Sequence, residues 1–561
     1  MHRRLTLSIV MLAVGTSLLV AASLASASSS TATLKKGGIY KVGIIGPSTD
    51  MDPQVGYVTT TWWLEYATAA KLYNYPDRQG VAGGRLVPEV ASGYKVSNNG
   101  KTYTFTIRKG FKFSDGKPVT AASFKYAINR TANHDLNSPG GQFITDENGT
   151  NIVGAKAVND GKGNSVSGVT AKGNKLIIRL TKPDGTFMSK ITMPFFQATS
   201  TKLPLGKPIV NISGIGDVPS AGPYAFTRHD VNKLTQIAQN PFWKKGPGRN
   251  RPRNLSGVRL EWNTNEQTGY LRVKNNELDE GPLPPANVSE VKSQYGTNKT
   301  RYWVKPTACT GYIPMNTARP LFKGNANLRK ALNFAISRKD YVAQVGIDGG
   351  SPWSHILSPS TPGLLNQKAL YPNTPNLVKA KNLAKGHFKS GKITVGYRSS
   401  GTVNPNQAQI VKRDLQRLGF KAGDINMKPI PGAEIYDVMG VRGNDLDIGL
   451  SMGWCQDYPD PYDFINILLY GPAILPTNNV NYSYFNDPKW NKKMASAARL
   501  VGPKRMKAYG VLDRDLMLKA APMAPQRTYD SRYFLSNRVN PKGLVYQTVY
   551  QDWSIPALAL K

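Results

Sequence analysis

After one apolar stretch near its start, the chain never again carries an apolar run long enough to cross a membrane. His2, Arg3 and Arg4 lead into residues 5–24, which are apolar apart from small Ser, Thr and Gly. Ala25-Ser26-Ala27 then offers a small-x-small cleavage site, and residues 28–33 are polar. This pattern reads as a secretory signal peptide, residues 1–27, removed after Ala27. The alternative is an uncleaved anchor, because the run is close to the lower length limit for spanning. No cysteine stands directly after the run, so no lipid anchor is expected, and the product belongs in the periplasm, cell envelope or medium. The rest of the 561 residues must fold in water around cores of its own, enough chain for two to four domains.

Export decides how two other features are read. The formal net charge is +37, which elsewhere would raise nucleic acid as a partner. The basic residues are spread along the chain, however, and the densest stretch, residues 244–253, is rich in Pro and Gly. A solvated basic surface is expected, and no nucleic acid. The cysteines are two, Cys309 and Cys455. In an oxidising compartment an even pair reads as a disulfide, against the alternative of two buried thiols. Two cysteines without a nearby histidine do not make a zinc site.

Periodicity places strands and helices in alternation. A strand is predicted to begin the folded part near residues 37–42. Residues 101–108 alternate, with Tyr103, Phe105 and Ile107 on one face, as a half-buried strand does. Thr120 is positioned to cap a helix carrying Phe124, Ala127 and Ile128. Residues 175–180 predict another strand. Leu328, Ala331, Leu332, Ala335 and Ile336 fall on one helical stripe. Residues 392–398 and 446–452 read as strands, and a helix through Ile410 and Leu418 stops at Gly419, suited to a left-handed C-cap. Mixed elements over this length argue for a multi-domain α/β protein.

Seven stretches, in order, carry a resemblance: Leu86-Val87-Pro88-Glu89-Val90-Ala91, residues 99–105, residues 108–120, Ala221-Gly222-Pro223-Tyr224, Asn240-Pro241-Phe242-Trp243, residues 328–336, and Gly453-Trp454-Cys455-Gln456-Asp457-Tyr458-Pro459-Asp460-Pro461. Together they resemble the peptide/nickel family of extracellular solute-binding proteins of ABC importers. The resemblance implies an α/β, two-lobed periplasmic-binding-protein-like fold with a hinge and an additional domain beside the first lobe. It implies a discontinuous first lobe (36–68, 205–308, 527–561), an extra domain (69–204) and a second lobe (309–526). The spacing of Cys309 and Cys455 is similar to that of the disulfide in oligopeptide-binding members. The implied function is capture of di- or oligopeptides in the interlobe cleft. A membrane permease and an ATPase would be partners, the protein would be a monomer, and no cofactor is needed. Oligosaccharide, metal chelate or haem are alternative ligands within the family.

A zwitterionic peptide buried between lobes brings two charges, each costly to bury unpaired. Asp457, the aspartate after the Gly-Trp segment, is the implied partner of the ligand ammonium; the alternative is a turn-capping role, which also suits Asp460 and Asp463. Trp454 is expected to wall the pocket or to belong to the core. Gly453 would let a ligand approach the strand backbone closely. Arg398, at a strand end before a loop at 399–406, is the implied carboxylate partner, or else an ordinary surface charge. Tyr57 would face the second lobe across the cleft, unless it is an exposed loop tyrosine. Ser451 stands where some oligopeptide-binding members carry arginine, so carboxylate recognition departs from theirs.

A hydrolase is the alternative of a different class. Gly449-Leu450-Ser451-Met452-Gly453 matches G-x-S-x-G, but that elbow needs a helix directly after the serine and a later histidine. Pro459 and Pro461 follow instead, and the last histidine is His387. No catalytic residues are assigned, and no enzyme is expected.

Overall fold

Residues 34–561, apart from 147–148, 389–390, 433 and the side chain of Val81, are described by a computed structural model. The predicted signal segment lies outside the described residues. Among them, no helix is long and apolar enough to cross a membrane.

Two 13-residue strands, Tyr302–Pro314 and Met523–Leu535, run antiparallel at the centre of the architecture. Their ladder is regular from Tyr302↔Phe534 to Pro306↔Asp530, breaks, and resumes at Thr310↔Thr528. Proline has no N–H to give the ladder, so Pro306 sits where the pairing fails. On one side of the break, Tyr302 and Phe534 pack with Tyr270 and Val273. On the other, Ile313 and Ala524 pack with Leu332, Val395 and Leu415. One pair of strands thus enters two separate cores, and the chain is a two-lobed α/β fold.

Around this pair an eight-stranded sheet runs in the order Met452–Cys455, Tyr302–Pro314, Met523–Leu535, Glu280–Gly281, Ile39–Gly43, Gly257–Glu261, Leu234–Gln239 and Tyr224–Asp230. The first-lobe core is built on Tyr40, Val42, Leu64, Phe226 and Leu260. The second lobe holds a parallel sheet of Ile425–Ile430, Ile393–Arg398 and Ile448–Leu450, covered by helices Ala326–Ala335 and Val403–Leu418. A separate four-stranded antiparallel sheet joins Ala91–Ser97, Thr102–Ile107, Lys175–Arg179 and Val169–Lys172. Tyr103, Phe105 and Ile107 are its buried positions, the alternation seen in the sequence. Helix Ala121–Ala132 packs on it, begun at Thr120, whose N–H donates to Ser123 Oγ (3.2 Å).

Three expectations change. Residues 446–452 are not one strand: Ser451 has φ of +59°, so Ile448–Leu450 ends in the parallel sheet and Met452–Cys455 starts in the large one. A left-handed residue turns the chain out of one sheet's plane, which hydrophobicity alone does not report. The loop after Arg398 is also shorter than expected, because Val403–Leu418 is already helical, with Pro405 in its first turn. Nor is all of the positive charge solvated. Arg130 is fully buried and holds Asp52 with both nitrogens (2.5 and 2.6 Å), while Gln54 Oε1 accepts a further bond (2.8 Å). This pair ties the loop carrying residues 50–57 to helix Ala121–Ala132. Removing one partner leaves a buried charge unpaired, so Arg130→Met is expected to lower unfolding free energy by about 3–5 kcal/mol, read from urea denaturation at constant pH.

Candidate functional site

Met452–Cys455 is the outer strand of the large sheet and pairs with Tyr302–Pro314 alone. Cys309 and Cys455 lie directly opposite one another and are disulfide-bonded, with Cα atoms 4.0 Å apart. The bond closes a separation of 146 residues, which corresponds to a stabilisation of about 5 kcal/mol in the chain-entropy picture if unstrained. Gln456 N–H continues the ladder to Ala308 O (3.0 Å). The chain then turns through Pro459 and Pro461 into helix Tyr462–Leu469.

Asp457 sits in this turn, 8% exposed. Its Oδ2 accepts a hydrogen bond from Tyr57 OH at 2.6 Å. Tyr57 reaches it from just before helix Thr59–Thr68, whose Trp63 and Leu64 belong to the first-lobe core. The Tyr57 ring packs against Phe195 (5.3 Å), Trp62 (5.4 Å) and, edge to face, Trp454 (6.3 Å). Tyr57, Trp454 and Asp457 therefore come together, joining residues 400 apart in sequence. Trp454 is also buried in a core shared by both halves of the molecule.

The electrostatics of the turn are one-sided. Asp460 has a cation, Arg505 (2.9 Å), and Asp184 has Lys190 (3.2 Å). Among the described residues, neither Asp457 nor Asp463 has a lysine, arginine or histidine within 4 Å. Burial pushes the Asp457 carboxyl up to about 7, with the Tyr57 hydrogen bond pulling the other way. Asp463 is raised well above the usual range, by burial first and by the Asp457 charge second. Sequence reading treated Asp463 as a turn residue. It does bond the turn, accepting Asp457 N–H through Oδ2 (2.8 Å), but its Oδ1 is buried without a normally formed hydrogen bond. Its spacing of six from Asp457 across two prolines was the available signal: such a turn brings the first helical residues back onto the strand end.

Arg398 is not in this cluster. It lines a cavity of about 190 Å³ with Ser451, Tyr341, Gln407 and Arg527, and its Nε donates to Gly432 O (3.0 Å). Ser451 N–H donates to Tyr341 OH (3.2 Å) and Ser451 Oγ to Gln407 Oε1 (3.3 Å), so the serine of G-x-S-x-G faces a phenol and an amide and is followed by a strand. At Gly453 the close approach is made by the protein itself: a Cβ there would lie 2.9 Å from Tyr529 OH. A larger cavity of about 640 Å³, lined by Arg329, Arg442 and Asp487, shares no residue with either group.

The raised carboxyls fix the sign of a pH effect. A carboxyl whose folded value lies above its unfolded one binds more protons when folded, so stability falls as pH rises from about 4 through 7. Asp457→Asn is expected to raise the unfolding midpoint at pH 8 and to leave it nearly unchanged at pH 4.5, measured by differential scanning calorimetry.

The fold has counterparts. Bacterial extracellular solute-binding proteins, family 5 (Middle), match residues 85–474. The chain is 27% identical to the oligopeptide-binding protein OppA of Bacillus subtilis, over 69% of this chain and 70% of that protein. It is 23% identical to the dipeptide-binding protein DppE of the same organism, over 89% and 88%. Among solved structures, Haemophilus influenzae OppA in complex with RPPGFSPFR superposes with a TM-score of 0.74 at 20% identity, covering 94% of this chain and 100% of that one. With the family's region spanning most of the sequence, this chain belongs to the family 5 bacterial extracellular solute-binding proteins.

Proposed function

We propose that the chain is the exported, monomeric receptor of an ABC importer, and that it captures peptides with a free amino terminus between its lobes. The carrying observation is Asp457: a buried carboxylate with no cation within 4 Å among the described residues, bonded to Tyr57 from the other side of the cleft. A ligand ammonium supplies the missing charge in a setting where ion pairs are strong. The Tyr57 bond makes the same carboxylate a contact between lobes, so a ligand held there favours their closed arrangement.

The outer strand supports a peptide as the rest of the ligand. Opposed residues with Cα atoms near 4.5 Å are non-hydrogen-bonded pairs, so the 4.0 Å Cys309/Cys455 pair turns its backbone groups outward. Gly453, two residues away, does the same, and its N–H is taken by Tyr436 OH (3.2 Å). Gly453 C=O and both Cys455 groups are then free to pair with an extended peptide. Trp454, Tyr57 and Trp62 supply the apolar wall. In this reading the lobes divide as 36–68 with 205–308 and 527–561, against 309–526, with 69–204 as the extra domain. The chain works outside the cytoplasmic membrane without a lipid anchor. It performs no covalent chemistry; a permease and an ATPase supply translocation.

Asp457→Asn is expected to weaken binding of free-amine peptides by about 10- to 100-fold and of N-acetylated peptides by less than about twofold, by isothermal titration calorimetry. Equal loss for both would remove Asp457 from the role. Native mass spectrometry of the purified protein should show bound peptides; a single sugar, metal chelate or haem mass would overturn the peptide assignment.

A further inference from the structure

The helical surface of the second lobe has a charge pattern that the cleft does not use. Helix Ala326–Ala335 packs against Leu377–Ala384 and Val403–Leu418. It also meets the turn Leu516–Ala520, which continues helix Gly502–Asp515, and that helix packs against Pro488–Ala498. Among the described residues, these five helices expose lysine and arginine but no Asp or Glu. The acids they carry are buried and matched: Asp414 on Arg413 (2.8 Å), Asp513 on His355 (2.6 Å) and Asp515 on Lys519 (2.7 Å). Lys379, Lys381 and Arg417 stand exposed on the first three helices, and Lys492, Lys493 and Lys507 on the other two.

The cavity of about 640 Å³ lies between these groups. It forms where Lys323 and Gly324, just before Ala326–Ala335, meet Asp487 and Pro488 at the start of Pro488–Ala498. Lys323, Arg329 and Arg442 line it against one carboxylate, Asp487. That carboxylate is occupied in capping its helix, Oδ1 accepting the N–H groups of Lys489 (2.9 Å) and Trp490 (3.2 Å). Arg329 is only 6% exposed. Its Nε donates to Ala520 O (2.9 Å) and its Nη1 to Phe322 O (2.6 Å), which fixes the guanidinium. Nη2, with no hydrogen bond among the described residues, is left for the cavity.

A wide surface of one sign attracts a polyanion, whose condensed counterions are released on binding. The recessed Arg329 favours a flexible one, because a flat layer of lipid headgroups does not reach a side chain below the surface. Nucleic-acid bases need rings to stack on, and the aromatic side chains of these helices, Phe334, Trp490 and Tyr509, are half-buried or buried. Three cations brought from different segments suit a tetrahedral phosphate, with oxygens in several directions. We infer that this surface docks a flexible polymer carrying phosphate groups along its length, one of which enters the cavity at Arg329. The inference is independent of the peptide reading above.

Titration calorimetry of the full chain with poly(glycerol phosphate) tests it. Affinity should fall by about 100-fold between about 50 and 200 mM NaCl. Lys379→Glu/Lys381→Glu and Lys492→Glu/Lys493→Glu should each weaken binding by about tenfold and flatten the salt dependence. The two pairs lie on separate helices, and unfolding midpoints by circular dichroism report that each variant is folded. Lys95→Glu/Lys172→Glu, the same charge change on the exposed strands of the four-stranded sheet, should alter affinity by less than about twofold. Equal loss in that pair would show that net charge alone acts, and would overturn the surface. Undiminished affinity in Arg442→Gln would remove the cavity from the site. Orthophosphate binding as tightly as the polymer, or phosphatidylglycerol vesicles or a single-stranded oligonucleotide binding more tightly, would overturn the polymer as occupant. No binding at low salt would overturn the whole inference, and none of these outcomes bears on peptide capture.

Discussion

The antiparallel pairing of Tyr302–Pro314 with Met523–Leu535 is the constraint on which the architecture rests. Each strand has one end in each core, so the two lobes share a backbone ladder rather than a flexible tether. The ladder is interrupted between Pro306 and Thr310, which leaves fewer bonds resisting a bend there than in the flanking segments. A receptor that must close on cargo without losing its shape needs that combination: continuous strands, locally weakened. The turn that carries Asp457 is attached next to the interruption through the Cys309–Cys455 bond, so a bend in the ladder carries Asp457 with it.

Charge complementarity organises the site around that ladder. Buried acids at the turn's periphery, Asp460 and Asp184, have their own cations and serve the structure. Among the described residues Asp457 and Asp463 do not, and Arg398, at the end of the parallel-sheet strand Ile393–Arg398, shares with Arg527 of Met523–Leu535 a cavity that no acidic residue lines. Leaving charges of both signs unmatched inside a protein costs stability at each end, and the arrangement makes chemical sense when a dipolar molecule completes it.

Much of this was legible in the sequence where the signal is local. Alternation at Tyr103, Phe105 and Ile107 and the helical stripe from Leu328 to Ile336 marked elements that the structure contains. The Gly-Trp-Cys-Gln-Asp run drew attention to Asp457. What stayed hidden depends on contacts distant in sequence or on the sign of a backbone angle. The Tyr57–Asp457 bond spans 400 residues. Ser451 divides an apolar run between two sheets by a positive φ that residue type does not announce. Arg527 reads as one of many basic residues until its strand is seen to lie beside Gly311.

The position of Met523–Leu535 in the large sheet has a consequence for biogenesis. It lies between Tyr302–Pro314 and Glu280–Gly281, both made more than 200 residues earlier during synthesis. Until the ribosome has passed residue 535, the earlier strands have no partner to bridge them, and such long-range closure is slow to form. The nascent polypeptide therefore cannot complete the large sheet, or join its two cores through it, until one of its last strands has been made.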